Sequence, residues 1–451
     1  MRAAGRTERF PLSKPRRTAA WRSRLFGTRR GRCPKTCRFA DDCFIQMPRK
    51  LAMLWTRANF CDVHLKKDTG LFPLYLAKSY GLSAEILFTE SARSTEETDI
   101  ENVVTLTKIP KKGCFENAPS FSIFHFLRWY RFLAPYISYI KFNKNNVSHY
   151  MFFHATDNSL ILAWLASRYN KNAKIWIKMD ANIAAAKGLA FLFSRQRSVK
   201  HAIRQFLFKR LFKSVDLLST ESQSTYEIIS NTAIKFCKNI CVIPNGIELS
   251  KLNETFSKEK VMICVGRLGS KQKNIAVLLK ALETVNLKDW KIYLIGSTQI
   301  ENFDFESAVQ EFYNFHPEKK ACVIITGNIS DKEKLNEYYR KSSVFIMPSE
   351  QESFCIAAIE AGMTGNYLLL SDFSSARDFV PNGEYGYILP ESKENEQNKE
   401  VMTEKLAERI QAIVDGKIDV VSNAENRAEY FREKFSIENI VNCQTLKRWM
   451  E

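Results

Sequence analysis

No stretch of this 451-residue chain approaches the roughly 18 consecutive apolar residues needed to cross a bilayer. The longest apolar runs, Leu160 to Leu165 and Ala184 to Phe193, are short and predict core helices. Paired cysteine spacing is also missing. The eleven cysteines include Cys33, Cys37 and Cys43 near the N-terminus and are otherwise scattered singly. That pattern argues against a disulfide framework or a zinc site and predicts the reduced thiols of a cytosolic protein. Asp-x-Asp, the usual diphosphate-chelating metal motif, occurs nowhere. Acidic residues are scarce in the first fifty positions, three against fifteen Lys and Arg. The formal net charge of +18 is therefore concentrated in that head, and the remaining 401 residues carry only about +6. Such a bias suits acidic substrates or anionic lipid heads. No zinc-finger spacing, RNP motif or basic recognition helix supports nucleic acid as a partner.

Residues 1–46 are rich in Arg, Pro and Gly, lack apolar periodicity, and contain no apolar run of the length that a secretory signal requires. They are expected to lie outside the fold. Either they form a disordered basic extension of transit-peptide type, or the true initiator is Met47 or Met53.

From about Lys50 the chain alternates short apolar runs with amphipathic stretches, the pattern of parallel-sheet α/β folds. Strands are expected at Leu51–Trp55, Ala84–Phe88, Tyr150–Phe153, Lys174–Lys178 and Leu217–Ser219. In the second half they are expected at Val261–Val265, Lys291–Ile295, Cys322–Thr326, Val344–Met347 and Tyr367–Leu370. Helices are predicted at Phe72–Tyr80 and Leu160–Tyr169, and others starting near Asn274, Phe305, Asp331, Ser353 and Ser375. The fold class read from this pattern is α/β: two doubly wound, Rossmann-like domains facing across a cleft. The expected boundaries are 47–245 and 246–430, with 431–451 a C-terminal helix returning to the first domain.

One segment combines several chemical signals. Ser349–Gly362 reads S-E-Q-E-S-F-C-I-A-A-I-E-A-G, a polar loop after a buried strand and then an Ala/Ile-rich helix. A helix start presents unpaired N–H groups and the positive dipole end, a ready site for a diphosphate. Glu352 and Glu360 would lie about 12 Å apart if the segment were helical throughout. That spacing suits one carboxylate on sugar hydroxyls and one on ribose hydroxyls; it also suits a capped helix with two surface acids. Upstream, V-G-R-L-G-S-K-Q-K-N at Val265–Asn274 places Arg267 and Lys273 at a strand's carboxyl end. Two cations there are what a diphosphate leaving group needs.

At these residues the chain resembles the family-four retaining glycosyltransferases of the two-Rossmann (GT-B) type, in particular bacterial cell-surface polysaccharide members. The matching residues are P-N-G-I at Pro244–Ile247, G-R-L at Gly266–Leu268, the Lys273–Asn274 pair, E-S-F-C-I-A-A-I-E at Glu352–Glu360 and N-G-E-Y-G at Asn382–Gly386. The resemblance implies that Arg267 and Lys273 bind the donor diphosphate, Glu352 the donor sugar and Glu360 the ribose. It implies that Ser353, Phe354 and Cys355 offer backbone N–H groups, with Asn328 and Ile329 near the base. The family usually has Lys-Gly where this chain has Lys273–Asn274; Asn is a competent helix N-cap, so the turn is expected to survive. In the first half, H-L-K-K-D-T-G-L-F-P at His64–Pro73 resembles the family's first strand–loop–helix, with Gly70 near the diphosphate. His154, ending Y-M-F-F-H, lies where several members place a catalytic-site histidine, and Asp180 closes I-W-I-K-M-D at an equivalent strand end as a substrate-binding candidate; for both the structural reading is the stronger.

The activity so implied is a retaining, metal-independent transfer of a hexose from a nucleotide-diphosphate sugar to a glycan or lipid-linked glycan acceptor in cell-surface polysaccharide synthesis. It requires no cofactor beyond the donor, and Arg267 and Lys273 would stabilise charge in place of a metal. Alternatives are a nucleotide-sugar epimerase of the same fold and a non-catalytic nucleotide-sugar-binding protein. A cytoplasmic enzyme is expected, peripheral on the inner face of the plasma membrane if two basic, aromatic segments contact anionic lipid. Ser198–Lys213 sets Val199, Ile203, Phe206, Leu207 and Leu211 on one helical face, with Lys200, Arg204, Lys209, Arg210 and Lys213 around it. Phe121–Phe142 is dense in aromatics with Arg128, Arg131 and Lys141. The competing reading packs both apolar faces on the sheet.

Overall fold

Apolar, β-branched-rich segments build two sheets in a computed structural model that describes residues 49–57, 60–89, 98–109, 123–193, 198–233, 236–249, 257–390 and 396–451. The basic head, with Cys33, Cys37 and Cys43, lies outside the described residues. The first sheet contains β1 (Lys50–Leu54), β2 (Ser83–Phe88), β3 (Asp99–Ile100), β4 (Val104–Lys108), β5 (His149–Phe153), β6 (Lys174–Lys178), β7 (Leu217–Thr220) and β8 (Ile240–Val242). Its order is β3-β4-β2-β1-β5-β6-β7-β8, parallel except for the β3–β4 pair. The second sheet contains β9 (Glu259–Val265), β10 (Lys291–Ile295), β11 (Val323–Gly327), β12 (Ser342–Met347), β13 (Tyr367–Ser371) and β14 (Gly386–Leu389). All its pairs are parallel, in the order β11-β10-β9-β12-β13-β14. This is the doubly wound arrangement, whose order reverses between β9 and β12.

Both faces of each sheet are covered, which is why the inner strands read as continuous apolar runs. Met262, Leu294 and Ile346 point into one core of the second domain, and Ile263, Phe345 and Leu368 into the other. The strands that the sequence did not announce are short or polar: β4 is Val-Thr-Leu-Thr-Lys, β8 only Ile-Cys-Val, and β14 follows directly on a turn.

The chain crosses from the first domain to the second between β8 and β9 and returns at Ser436, where Ile247 and Ser436 bridge in parallel. The helix Ala424–Phe435 still belongs to the second domain, through Phe431 and Phe435. The expected edge at 430 therefore falls inside a helix, and the return is made by Ile437–Val441 and Gln444–Met450. Ile437, Ile440, Leu446 and Trp449 of these helices enter the first domain's core. Trp449 packs edge-on against Trp176, 5.4 Å between ring centroids, and Arg49 donates to the Met450 carbonyl at 3.0 Å.

A buried lysine pins the start of the crossing. The Lys178 ammonium, fully buried, donates to the Ile243 carbonyl at 3.1 Å and lies 3.6 Å from Glu221. Burial drives the Glu221 carboxyl well above the ordinary range against the pull of Lys178.

Two expectations about helices are corrected. Ile183–Phe193 is not a core helix: among its described side chains Ala186 and Phe193 are buried, while Phe191 is 60% exposed. In Val199–Phe212, Val199, Ile203, Phe206 and Leu207 point outward, and of the apolar face named above only Leu211 packs against the core. The other basic segment does pack. Leu133, Tyr136 and Ile140 of Ile123–Phe142 lie in the first domain's core, and Tyr139 donates to Glu85 at 2.7 Å. The side chains of Arg128 and Arg131 lie outside the described residues. Among the described residues no helix is long and apolar enough to cross a membrane. All seven described cysteines are unbridged.

Candidate functional site

The carboxyl ends of β9 and β12 flank the switch point of the second sheet, where ligands of doubly wound folds bind. A cleft of about 680 Å³ opens there. Arg267, Lys273, Asn328, Ile329, Glu352, Phe354, Cys355 and Glu360 all line it, as do Gly246, Ile247 and Glu248 from the crossing. Lys66 and Lys67, between β1 and the helix Asp68–Tyr80, line it from the first domain.

Lys273 and Glu352 meet at 2.6 Å, with side chains only 13% and 11% exposed. Ser349 donates to the same Glu352 oxygen at 2.8 Å. Burial opposes the Lys273 charge, but the neighbouring Cys355 and Glu352 outweigh it and raise the pKa. Burial also pushes the Cys355 thiol up to about 12 and keeps it neutral, so Glu352 is the group that holds the ammonium. One of the three lysine donors is thereby used, and the others remain for an anion.

The loop carrying Glu352 is held from several sides. Gln272 donates to the Gln351 carbonyl at 2.7 Å, and the Glu350 amide donates to the Gln272 carbonyl at 2.8 Å. Asn274 donates to the Pro348 carbonyl at 3.2 Å. Asn274 itself has φ 54° and ψ 39° and makes no side-chain cap. The turn survives for a different reason from the one expected: the position requires left-handed backbone, which Gly adopts freely and Asn tolerates better than most residues. At the end of β10, Gly296 has φ 142° and approaches the Gly266 carbonyl so closely that a Cβ would overlap it. That contact brings β10's end against the Gly266–Arg267 turn.

Arg267 is half-exposed and grips Glu301 with one guanidinium nitrogen at 2.7 and 3.0 Å. Glu360 accepts from the Tyr339 hydroxyl at 2.9 Å, and burial raises its carboxyl pKa against the pull of Tyr339 and Lys332. The helix after the loop is Ile356–Met363 with Cys355 as its N-cap, three residues later than expected. Its open N–H groups therefore belong to Cys355, Ile356 and Ala357, which line the cleft, whereas Ser353 does not. Phe354 turns its ring into the core against Phe379, at 5.2 Å.

Three first-domain candidates stand apart from this cleft. Gly70 is buried in Asp68–Tyr80; a Cβ there would strike the Leu65 carbonyl, and its amide donates to Lys67 at 3.0 Å. Its smallness serves the turn, which places Lys66 and Lys67 on the cleft. His154 and Asp180, following β5 and β6, form a separate group. Arg57 donates to His154 Nε2 at 3.1 Å and Nδ1 lies 3.2 Å from the Asp180 carbonyl. Since a guanidinium only donates, Nε2 accepts and the proton resides on Nδ1. Burial and then the Arg57 charge lower the imidazole pKa below 6.5. His154 also has φ 61°, a strained conformation for a non-glycine residue.

Sequence reasoning missed Lys66, Lys67 and Lys332, although the two adjacent lysines stood within a noted motif. With them the cleft carries five cations, Lys66, Lys67, Arg267, Lys273 and Lys332, against three carboxylates, Glu248, Glu352 and Glu360. The excess of two positive charges matches a diphosphate. Among the described residues no group of three His, Cys, Asp or Glu side chains is placed to hold a metal ion.

Residues 247–433 match the sequence profile of the family described as glycosyl transferases group 1. The chain is 28% identical over 131 residues to the amylovoran biosynthesis glycosyltransferase AmsD of Erwinia amylovora, covering 28% of this chain and 34% of that one. It is 28% identical over 196 residues to the capsular polysaccharide biosynthesis glycosyltransferase CapM of Staphylococcus aureus, covering 40% and 49%. The chain thus spans between a third and about half of the length of these relatives. Among solved structures, a glycosyltransferase from Rickettsia africae superposes with a TM-score of 0.62 at 15% identity, over 89% of this chain and 98% of that one. HepE from Anabaena, solved with UDP, gives 0.61 at 14% identity, over 88% and 100%. The fold is thereby that of two-domain GT-B structures.

Proposed function

With residues 247–433 a glycosyltransferase group 1 domain, we propose that this protein is a cytoplasmic glycosyltransferase. It moves a hexose from a nucleotide-diphosphate sugar to a glycan or lipid-linked glycan in cell-surface polysaccharide synthesis. The observation that carries the reading is the buried Lys273–Glu352 pair at the carboxyl ends of β9 and β12, beside Arg267 and the start of Ile356–Met363.

In this reading the diphosphate lies against Lys273, Arg267 and the N–H groups of Cys355, Ile356 and Ala357. Arg267 exchanges Glu301 for phosphate. Glu352 keeps one oxygen on Lys273 and Ser349 and presents the other to donor-sugar hydroxyls. Glu360, steadied by Tyr339, accepts from the ribose hydroxyls, with the base near Asn328 and Ile329. The bond from the anomeric carbon to the phosphate oxygen breaks, and the acceptor oxygen adds to the same face with retention. The acceptor proton passes to the departing phosphate oxygen. Lys273 and Arg267 stabilise the charge that develops there without a metal or other cofactor. His154 and Asp180 lie on the acceptor side.

The test is transfer by purified Lys273→Ala and Glu352→Ala, with melting followed in parallel. Both are expected to lose transfer by about 10²–10³-fold, as for removal of a charge-stabilising donor, while still unfolding cooperatively. Transfer at the wild-type rate in either folded variant overturns the assignment.

A further inference from the structure

Between Ala181 and Val215 the chain holds eight Lys and Arg and no Asp or Glu. This stretch builds the helices Ile183–Phe193 and Val199–Phe212, which flank a groove of about 270 Å³. Leu189, Phe191, Phe208 and Arg204 are among its lining residues. Val199, Ile203, Phe206 and Leu207 fall within one narrow stripe of a helix and are 75, 57, 63 and 52% exposed, and Phe191 of the neighbouring helix is 60% exposed. Phe208 and Phe212, on the opposite side, are buried and fix the helix to the sheet. Arg204, Arg210 and Lys213 stand exposed on the same helix end to end with that stripe.

We propose that these two helices form a docking surface for an anionic lipid bilayer. Four large apolar side chains held out from a folded core and bordered by Arg204, Arg210 and Lys213, with Asp157 the one carboxylate lining the groove beside them, match an interface that is apolar beneath and negative above. A second copy of the chain fits poorly, because an isologous contact would set the exposed Lys187, Arg204, Arg210 and Lys213 against the same cations of the other copy. A nucleic-acid backbone would meet the cations but leave the apolar stripe without a partner. The surface also leads to the site: Ile183, at the first turn of its helix, donates its amide to Ser374 of the second domain at 3.2 Å. Asp180 and His154 lie just before it in the structure. A lipid-linked acceptor held in the membrane would approach the cleft from this side, and to that extent the inference deepens the proposed function.

The test is flotation of the full chain with mixed phosphatidylglycerol–phosphatidylcholine vesicles and with pure phosphatidylcholine vesicles. Wild type is expected to float with the anionic vesicles, less so in high salt, and much less with the neutral ones. Ile203→Asp combined with Phe206→Asp should lower the bound fraction about tenfold or more, and Arg204→Glu with Arg210→Glu should do the same. All four side chains are exposed, so the melting temperature should hold. Flotation that persists in both variants would place membrane binding elsewhere, in the basic head for instance, and overturn the assignment. So would wild type that fails to float, or that self-associates through Phe206 without binding vesicles. Because the readout is vesicle binding, its failure leaves the transfer assay of the preceding section untouched.

Discussion

Lys273 and Glu352 lie seventy-nine positions apart and meet at 2.6 Å in a shielded cleft, which makes each residue's role depend on the other. Neither is visible as half of a pair from sequence; what was visible was a strand end with two cations and a strand end with an acid. His154 gives a sharper expectation at this scale. Its imidazole is held neutral by burial and by Arg57, with a pKa below 6.5. A folded-state value below the unfolded one means that its contribution to stability is present above about 6.5 and is lost as pH falls through the lower, folded value. If the neutral ring serves the acceptor, the acid limb of the transfer–pH profile lies below the usual histidine range. In His154→Gln, which can still accept from Arg57, that limb should vanish. An unchanged limb would mean that another group sets it.

At the scale of the element, the turn Lys271–Lys273 and its left-handed Asn274 decide whether the ammonium reaches Glu352. Asn274→Ala would place an unfavourable left-handed alanine there and leave the buried Pro348 carbonyl without its donor, costing about 2 kcal/mol. Asn274→Gly loses the same side-chain contacts but relieves the backbone, so urea titration should find it the milder change; equal losses would contradict the backbone argument. This element also shows why a residue type can be read correctly for the wrong reason. Asn favours helix caps and left-handed turns alike, and only φ distinguishes them. The second domain was legible because strands buried on both faces spell continuous apolar runs and helices with real caps announce their starts, as Asp304 and Asp331 do. The Ile356–Met363 helix was misplaced because its cap is a cysteine without a side-chain bond. For Val199–Phe212, amphipathic spacing gives a face but not its direction, since a stripe of Val, Ile, Phe and Leu reads alike toward a sheet and toward solvent.

For the whole molecule, the chain passes between the two domains twice, after Ile243, whose carbonyl the buried Lys178 holds, and at Ser436, which bridges to Ile247. Lys178→Ala would leave the Ile243 carbonyl without its donor and is expected to cost about 1–3 kcal/mol. Calorimetry should show that loss as a lower melting temperature; an unchanged one would remove Lys178 from the account of how the crossing is held. The cleft between the domains is also where sequence reading fell short. Lys66 and Lys67 precede the helix Asp68–Tyr80 and Lys332 opens the helix Lys332–Lys341, and an exposed lysine carries no periodic signal that assigns it to a site.

The central claim is that this cleft binds a nucleotide-diphosphate sugar through Lys273 and Glu352. Thermal unfolding of wild type and Lys273→Ala against UDP-, GDP- and ADP-sugars tests it most directly, since a ligand present at about 100 times its Kd stabilises the folded state by about 2.7 kcal/mol. One base is expected to raise the wild-type melting temperature and to lose that effect in the variant. No response to any of the three, or an equal response in both proteins, would contradict it.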